Sequence, residues 1–168
     1  LEMYREMGIA TFELNSFKSR EVTSTVGSQV SVTTAMMVLD SYRALEILSK
    51  HPKIDEEKVA ITGWSLGGAV SLFSSWIPLK DAINQELNFA AHLAFYPPCF
   101  VKPALLQFSE SPIHILIGEK DNWTPAAACE ELISEINSAG YEFGLTVYED
   151  SHHSFDRSGP IKLDETGY

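Results

Sequence analysis

Residues 63–67 read Gly-x-Ser-x-Gly and place Ser65 at the centre of the motif. A β-rich run precedes the motif, and a run of small and apolar residues typical of a buried helix follows it. A sharp strand-to-helix turn of this kind lifts a serine hydroxyl above the sheet, and the flanking glycines are expected because a Cβ there would collide with neighbouring backbone. The motif predicts Ser65 as a nucleophile, against the simpler interpretation of a glycine-rich turn that lets a helix pack close to a sheet.

A serine nucleophile needs a base, and histidine is the usual one. The five histidines are His51, His92, His114, His152 and His153. The first three lie at a helix end or inside predicted strands, which favours structural roles. His152 and His153 follow the last predicted strand, at the edge where the loops of a parallel sheet converge, so one of them can reach Ser65.

The carboxylate that orients the histidine is expected after a strand, between the serine and the histidine in the chain. Asp121 follows an apolar predicted strand and is the leading candidate. Glu119, Asp150 and Asp156 are weaker alternatives, because Glu119 precedes the turn and the other two lie close in sequence to the histidines.

Alternating strands and helices are what would bring these loops together. The hydrophobic runs predict strands at 9–14, 59–62, 89–96, 113–117 and 143–148. Helices are predicted at 1–7 with Gly8 as its C-terminal cap, from 33 or 34 to 50, from 67 to about 76 with Pro78 marking its end, and at 125–138. This alternation predicts an α/β fold with a mostly parallel sheet and helices on both faces.

Composition limits the possible partners. The chain has 168 residues, 45% of them hydrophobic, which is enough for one globular domain. Its net charge of -11 argues against a broad nucleic-acid or anionic-membrane surface, because both need clustered Lys and Arg. No apolar run approaches the roughly 18 residues that span a bilayer, and no signal pattern opens the chain. We expect a soluble protein with a small-molecule substrate; a cytoplasmic or exported location and the oligomeric state stay open.

Over nearly its whole length the sequence resembles the dienelactone hydrolase family of α/β-hydrolases. The likeness rests on the Gly-Trp-Ser-Leu-Gly-Gly motif at 63–68, on Gly-Glu-Lys-Asp at 118–121, and on Tyr148 followed by His-Ser-Phe at 153–155. It implies an α/β-hydrolase that cleaves esters or lactones through a Ser-His-Asp triad and an acyl-enzyme, without a cofactor. The family's triad histidine precedes a small residue and Phe, which favours His153. Family founders have cysteine as the nucleophile, so Ser65 looks like the serine-esterase branch.

The proposed chemistry and the resemblance give roles to further residues. The backbone N–H of Leu66 is expected to be one oxyanion donor. Arg157 matches an arginine that helps to hold a substrate carboxylate in the family, with a solvated surface arginine as the alternative. The aromatic candidates for a substrate pocket, each of which has a core position as its alternative, are Phe17, Trp64, Tyr96, Phe100 and Trp123.

In the family, the second oxyanion donor comes from a loop that follows a further strand. That strand lies between the two that correspond here to 9–14 and 59–62. The family also has a last helix after the histidine loop. Neither is found in this sequence, and residues 1–8 read as the end of a helix. We therefore expect residues 1–168 to form a single α/β-hydrolase domain that lacks its N-terminal strands and last helix.

The chain has two cysteines. Cys99 follows one predicted strand, and Cys129 lies at the beginning of the helix after the next predicted strand. Two free buried thiols are the default in a cytosolic protein, whereas resemblance to exported family members with similarly placed cysteines implies a disulfide. The cysteines and histidines lack a recognisable metal-ligand spacing, so no metal site is expected.

Two other functions fit parts of the sequence. A serine peptidase of the prolyl oligopeptidase type also carries Gly-Trp-Ser-x-Gly-Gly, and a non-catalytic α/β-hydrolase-like protein would use the fold for binding alone. A fluorophosphonate probe separates the hydrolases from the binding protein, because only an activated serine reacts with it.

Overall fold

The structure is a computed structural model that describes residues 2–25 and 30–159. Its centre is a sheet of four parallel strands in the order β1 (Ile61–Trp64), β2 (His92–Phe95), β3 (Ile113–Gly118) and β4 (Gly144–Tyr148). The register pairs Gly63 with Ala94 and Ala94 with Ile115. Because all four strands run the same way, the loops that follow them meet at one edge of the sheet.

Five α-helices accompany the strands among the described residues. They are α1 (Glu2–Glu6), α2 (Thr34–Leu48), α3 (Leu66–Phe73), α4 (Ile77–Ile83) and α5 (Ala126–Ser138), with short 3-10 turns at Lys18–Arg20 and Glu56–Lys58. Thr33 caps α2 by accepting a hydrogen bond from the Met36 N–H at 3.2 Å, in agreement with the predicted start. Gly8, at φ 79°, closes α1 as predicted, donating to the Arg5 carbonyl at 3.0 Å.

The core lies on one face of the sheet. Ile113, Ile115 and Ile117 of β3 are buried, whereas His114 between them is exposed. This alternation buries the isoleucines against α5 and the end of α3, and α2 packs on α3. The fold class is therefore the predicted one, a parallel sheet with helices packed on it.

One predicted element and one predicted helix end are wrong. Residues 9–14 form no strand and are exposed along their length. The sheet of the described residues consists of β1–β4 alone, so residues 9–14 pair with no strand, and a β-rich run without a partner strand forms no ladder. Pro78 does not end α3; it lies in the first turn of α4, where a proline costs no helical hydrogen bond.

Candidate active site

Ser65 lies in the turn between β1 and α3. Its backbone has φ 55° and ψ -114°, a conformation that a residue with a side chain rarely adopts. Two backbone hydrogen bonds hold it: the Ser65 N–H donates to the Phe95 carbonyl at 3.0 Å, and the Ser65 carbonyl accepts from the Ala69 N–H at 3.0 Å. The strained turn is thus fixed by both the neighbouring strand and the following helix.

The glycines around Ser65 differ in what they contribute. A Cβ on Gly63 would collide with the carbonyl of Gly67, and a Cβ on Gly68 would lie 2.5 Å from the Phe95 carbonyl oxygen. A Cβ on Gly67 would meet nothing within 4 Å, so the expected collision at that position is wrong. The close approach of α3 to the sheet depends on Gly63 and Gly68 instead.

A continuous line of hydrogen bonds joins Ser65 to Asp121 through His153. The Ser65 Oγ lies 3.0 Å from His153 Nε2, and His153 Nδ1 lies 2.7 Å from Asp121 Oδ2. The three residues follow β1, β3 and β4, so the parallel sheet converges them as predicted. His153 and Asp121 are buried, which shields their contact from solvent.

The Asp121 carboxylate is held by its own loop as well as by His153. Its Oδ1 accepts from the backbone N–H groups of Trp123 at 2.9 Å and Thr124 at 2.8 Å. Burial raises the pKa of Asp121, but the hydrogen bonds from His153 and Thr124 outweigh it, so the pKa lies below its usual value. The carboxylate is therefore ionised at neutral pH and accepts from the Nδ1–H tautomer of His153.

Thr124 is a residue of this site that the sequence analysis missed. Its buried hydroxyl lies 2.8 Å from Asp121 Oδ2, 3.1 Å from His153 Nδ1 and 3.1 Å from the Tyr96 carbonyl oxygen. The available signal was its position three residues after a loop aspartate, where a side-chain oxygen commonly accepts from backbone N–H groups. Thr124 joins the Asp121 loop to the loop that follows β2.

The loop that carries His153 is fastened by Asp156. Its Oδ2 accepts from Trp64 Nε1 at 2.6 Å, and its Oδ1 accepts from the Tyr96 hydroxyl at 2.8 Å. Burial, with the Asp156 carboxylate adding to it, raises the pKa of Tyr96 and keeps the phenol a donor. The Tyr96 ring lies 4.5 Å, centre to centre, from the His153 ring. Asp156, one of the weaker sequence candidates for the orienting carboxylate, instead ties the histidine loop to the residue before Ser65.

The other candidates for the base and its carboxylate lie in different surroundings. His92 is buried beside the Ser71 carbonyl, and His114 contacts Thr146 at 2.8 Å. Asp150 pairs with Lys120, and Glu119 accepts from the Asp150 N–H at 3.0 Å.

The predicted substrate-binding residues are spread around the site. Trp64 stacks on Phe95 with ring centres 5.3 Å apart, and the Trp123 ring lies 5.0 Å from that of His153. Arg157 is an exposed residue of the histidine loop. Phe17 precedes the turn at Lys18–Arg20, and it does not line the apolar cavity that opens beside Leu66.

Leu66 is the first residue of α3, so the helix itself provides no acceptor for its N–H. The N-terminal end of a helix also carries a partial positive charge. This N–H is the donor next to Ser65 that an oxyanion could use.

Cys99 and Cys129 form a disulfide that joins the loop after β2 to α5. Within residues 2–25 and 30–159, no group of three or more His, Cys, Asp or Glu side chains is arranged to hold a metal ion. No helix in the same ranges is both long and apolar enough to cross a bilayer.

Several known proteins resemble this chain in sequence or in fold. A Bradyrhizobium protein described as a probable 2-oxo-3-(5-oxofuran-2-ylidene)propanoate lactonase is 24% identical over 135 residues, covering 76% of this chain and 53% of that protein. The native esterase Est2 of Thermogutta terrifontis matches with a TM-score of 0.61 and 20% identity, over 79% of this chain and 60% of the esterase. A putative dipeptidyl aminopeptidase IV from Bacteroides ovatus matches with a TM-score of 0.60 and 16% identity, over 72% and 20% of the two chains.

These structural likenesses show an α/β-hydrolase fold, and the chain spans about half the length of the curated relative. The model of the dienelactone hydrolase family matches residues 2–167, which is nearly the entire sequence. The chain therefore belongs to the dienelactone hydrolase family.

Proposed function

We propose that this protein hydrolyses carboxylic esters, lactones included, through an acyl-enzyme formed on Ser65. The observation that carries the proposal is the line of hydrogen bonds from Ser65 Oγ through His153 to Asp121, at 3.0 and 2.7 Å. Those contacts have the lengths and the order that a serine nucleophile, its general base and the orienting carboxylate require.

The first half of the reaction transfers the acyl group to the protein. His153 Nε2 accepts the proton of Ser65 Oγ as that oxygen attacks the carbonyl carbon, and the Leu66 N–H stabilises the negative charge that develops on the carbonyl oxygen. The bond from the carbonyl carbon to the alcohol oxygen then breaks, and His153 gives its proton to the departing alkoxide. The ionised Asp121 stabilises the imidazolium between these two transfers.

The second half releases the acid. A water molecule attacks the acyl-serine ester, again losing its proton to His153 Nε2, and the proton passes to Ser65 Oγ as the ester bond breaks. The products are a carboxylic acid and the regenerated serine. A lactone follows the same steps, with the alcohol remaining part of the same product molecule.

Family membership supports this chemistry. The two relatives differ in the ester class that their descriptions give, a lactone for the Bradyrhizobium protein and an ester for the Thermogutta enzyme. Ester hydrolysis is the reaction common to both descriptions, and Ser65, His153 and Asp121 are arranged as the nucleophile, general base and orienting carboxylate that it requires.

The test is hydrolysis of p-nitrophenyl acetate and butyrate by the wild type and by Ser65→Ala. Removal of the nucleophile should lower kcat/KM by about 10³-fold or more. The matched control is Ser134→Ala, which removes an exposed hydroxyl from α5 and should leave kcat/KM unchanged. Circular dichroism establishes that each variant is folded. Equal turnover by a folded Ser65→Ala protein and the wild type would refute the proposal.

A further inference from the structure

An apolar cavity of about 380 Å³ opens beside the oxyanion donor. Four parts of the fold line it: the start of α2, one side of α3, the beginning of α4, and the loop 98–104 after β2. The loop follows the carboxyl end of β2, and α3 begins just after Ser65, so the cavity belongs to the same edge of the sheet as the hydrogen-bonded line. Its volume lies in the range of small-molecule sites.

One stripe of α3 forms the floor. Leu66, Ala69 and Phe73 line the cavity and are spaced three and four residues apart, which places them on one face of the helix. Leu66 follows Ser65 directly, and Phe73 lies seven residues further along, about 10 Å at the rise of an α-helix. The cavity therefore extends from the nucleophile along α3, and the small side chain of Ala69 leaves room in the middle.

The lining offers almost no polar group to a ligand. Apart from the Trp76 indole N–H, which donates to the Leu105 carbonyl at 2.7 Å, only Thr34 and Lys102 contribute polar side chains. The Lys102 ammonium is paired with Glu131 at 2.9 Å and Glu135 at 2.7 Å. Among the described residues no unpaired cation lines the cavity, so a substrate carboxylate placed against this lining would lose its hydration without gaining a partner.

The position of His153 decides which part of an ester the cavity receives. His153 protonates the leaving alcohol, so the alcohol must face His153 and its aromatic neighbours Tyr96 and Trp123. Neither aromatic residue lines the cavity, whereas Leu66 both lines it and bears the oxyanion N–H. The group on the other side of the carbonyl carbon therefore points into the cavity.

We propose that this cavity binds the acyl group, and that the substrates are neutral esters with an apolar alkyl or aryl acyl chain. The proposal rests on the proposed function. The proposed substrate is therefore not an anionic lactone. Arg157, the candidate partner for a substrate carboxylate, lies on the histidine loop and is not part of the lining.

The first measurement is kcat/KM for p-nitrophenyl acetate, butyrate, octanoate and hydrogen succinate, which share one leaving group. Burial of one methylene group is worth roughly fourfold, so butyrate, which has two more methylene groups than acetate, should exceed it by about 15-fold. The succinate monoester, which carries a carboxylate at the end of its acyl chain, should fall below butyrate by at least about tenfold. A preference for the succinate ester, or equal values for the acetyl, butyryl and octanoyl esters, would overturn the proposal.

The second measurement fills the cavity. Ala35 lines it from the start of α2 yet is exposed, so Ala35→Phe adds bulk without disturbing the core. The ratio of kcat/KM for octanoate to that for acetate should fall by at least about tenfold. Ala104→Phe fills the cavity from the loop wall and should act in the same direction, which covers the case in which one variant fails to fold.

The matched control is Ala127→Phe. Ala127 is exposed and is the second residue of α5, just as Ala35 is the second residue of α2, but it does not line the cavity. It should leave the ratio unchanged. If Ala35→Phe and Ala104→Phe leave the ratio as it is, the cavity is not the acyl site. Acetate hydrolysis without an acyl preference defeats this proposal alone, whereas a folded wild type that hydrolyses none of the esters defeats the proposed function as well.

Discussion

The hydroxyl of Thr124 provides the sharpest test of how the site is held together. Thr124→Val replaces this hydroxyl with a methyl group of similar size. It removes the contacts to Asp121 Oδ2 at 2.8 Å, His153 Nδ1 at 3.1 Å and the Tyr96 carbonyl at 3.1 Å. The backbone N–H groups of Trp123 and Thr124 still donate to Asp121 Oδ1 in the variant, because the substitution leaves the backbone intact.

The expected loss of rate in Thr124→Val depends on the hydrogen bonds that Asp121 keeps. A hydrogen bond to a charged group contributes about 1.5–3 kcal/mol. Since three of the four hydrogen bonds to Asp121 survive, we expect the lower value, which corresponds to about a tenfold loss of rate. Asp121→Asn removes the charge and disturbs the histidine tautomer, and should cost far more, on the order of 10⁴-fold.

The assay is the steady-state hydrolysis of p-nitrophenyl butyrate. Because Thr124 contacts Asp121 and His153, the loss should appear in kcat with KM unchanged. Thr124→Ser keeps the hydroxyl and should recover most of the rate, which separates the hydrogen bond from packing. Activity of Thr124→Val within twofold of the wild type, or a Thr124→Ser variant as slow as Thr124→Val, would refute this account of the site.

Three further predictions concern the loops and the core. Asp156→Asn weakens the acceptor for Trp64 and Tyr96 and should lower kcat for ester hydrolysis by about threefold to tenfold; an unchanged kcat would contradict the role of Asp156 in holding the histidine loop. Burial lowers the pKa of His92 to about 4, although the hydrogen bond to the Ser71 carbonyl raises it. As pH falls below 6.5, this imidazole therefore takes up a proton in the unfolded chain before it does in the folded one. The free energy of unfolding should fall by about 3 kcal/mol between pH 6.5 and pH 4. Urea unfolding at the two pH values should show a smaller fall for His92→Asn, and an equal fall would exclude His92 as the cause. Replacing both Cys99 and Cys129 by Ala should cost about 3–4 kcal/mol in urea unfolding, because their bond spans 30 residues, and a loss below about 1 kcal/mol would contradict it.

Local sequence signals predict Ser65 and Asp121 and limit the base to His152 or His153, and the family resemblance then favours His153. Ser65 lies in a glycine-bounded turn, and Asp121 and His153 each follow an apolar or β-rich run that predicts a strand. The parallel sheet then converges the three loops, which alternation of strands and helices predicts. For Thr124 the sequence signal is only its position three residues after Asp121, and the contact of Asp156 has no local signal. Both residues also contact Tyr96, which lies 28 residues from Thr124 and 60 from Asp156 in the chain, so these contacts form only on folding.

The errors in the predicted elements have one origin. Residues 9–14 have the composition of a strand, but a strand also needs a neighbour to accept its backbone hydrogen bonds, and the local pattern contains no information on that neighbour. Pro78 is compatible with both the end of one helix and the first turn of the next. The tertiary packing, rather than the residue type, decides between them.

Covalent labelling of the folded protein with a fluorophosphonate probe, followed by peptide mass spectrometry, tests the central claim most directly. The account predicts a single adduct on Ser65 in the wild type, none in Ser65→Ala, and labelling slowed by about 10³-fold or more in His153→Ala, because the hydroxyl reacts only when Nε2 accepts its proton. A folded wild type that takes up no probe, or an adduct on any residue other than Ser65, would contradict it.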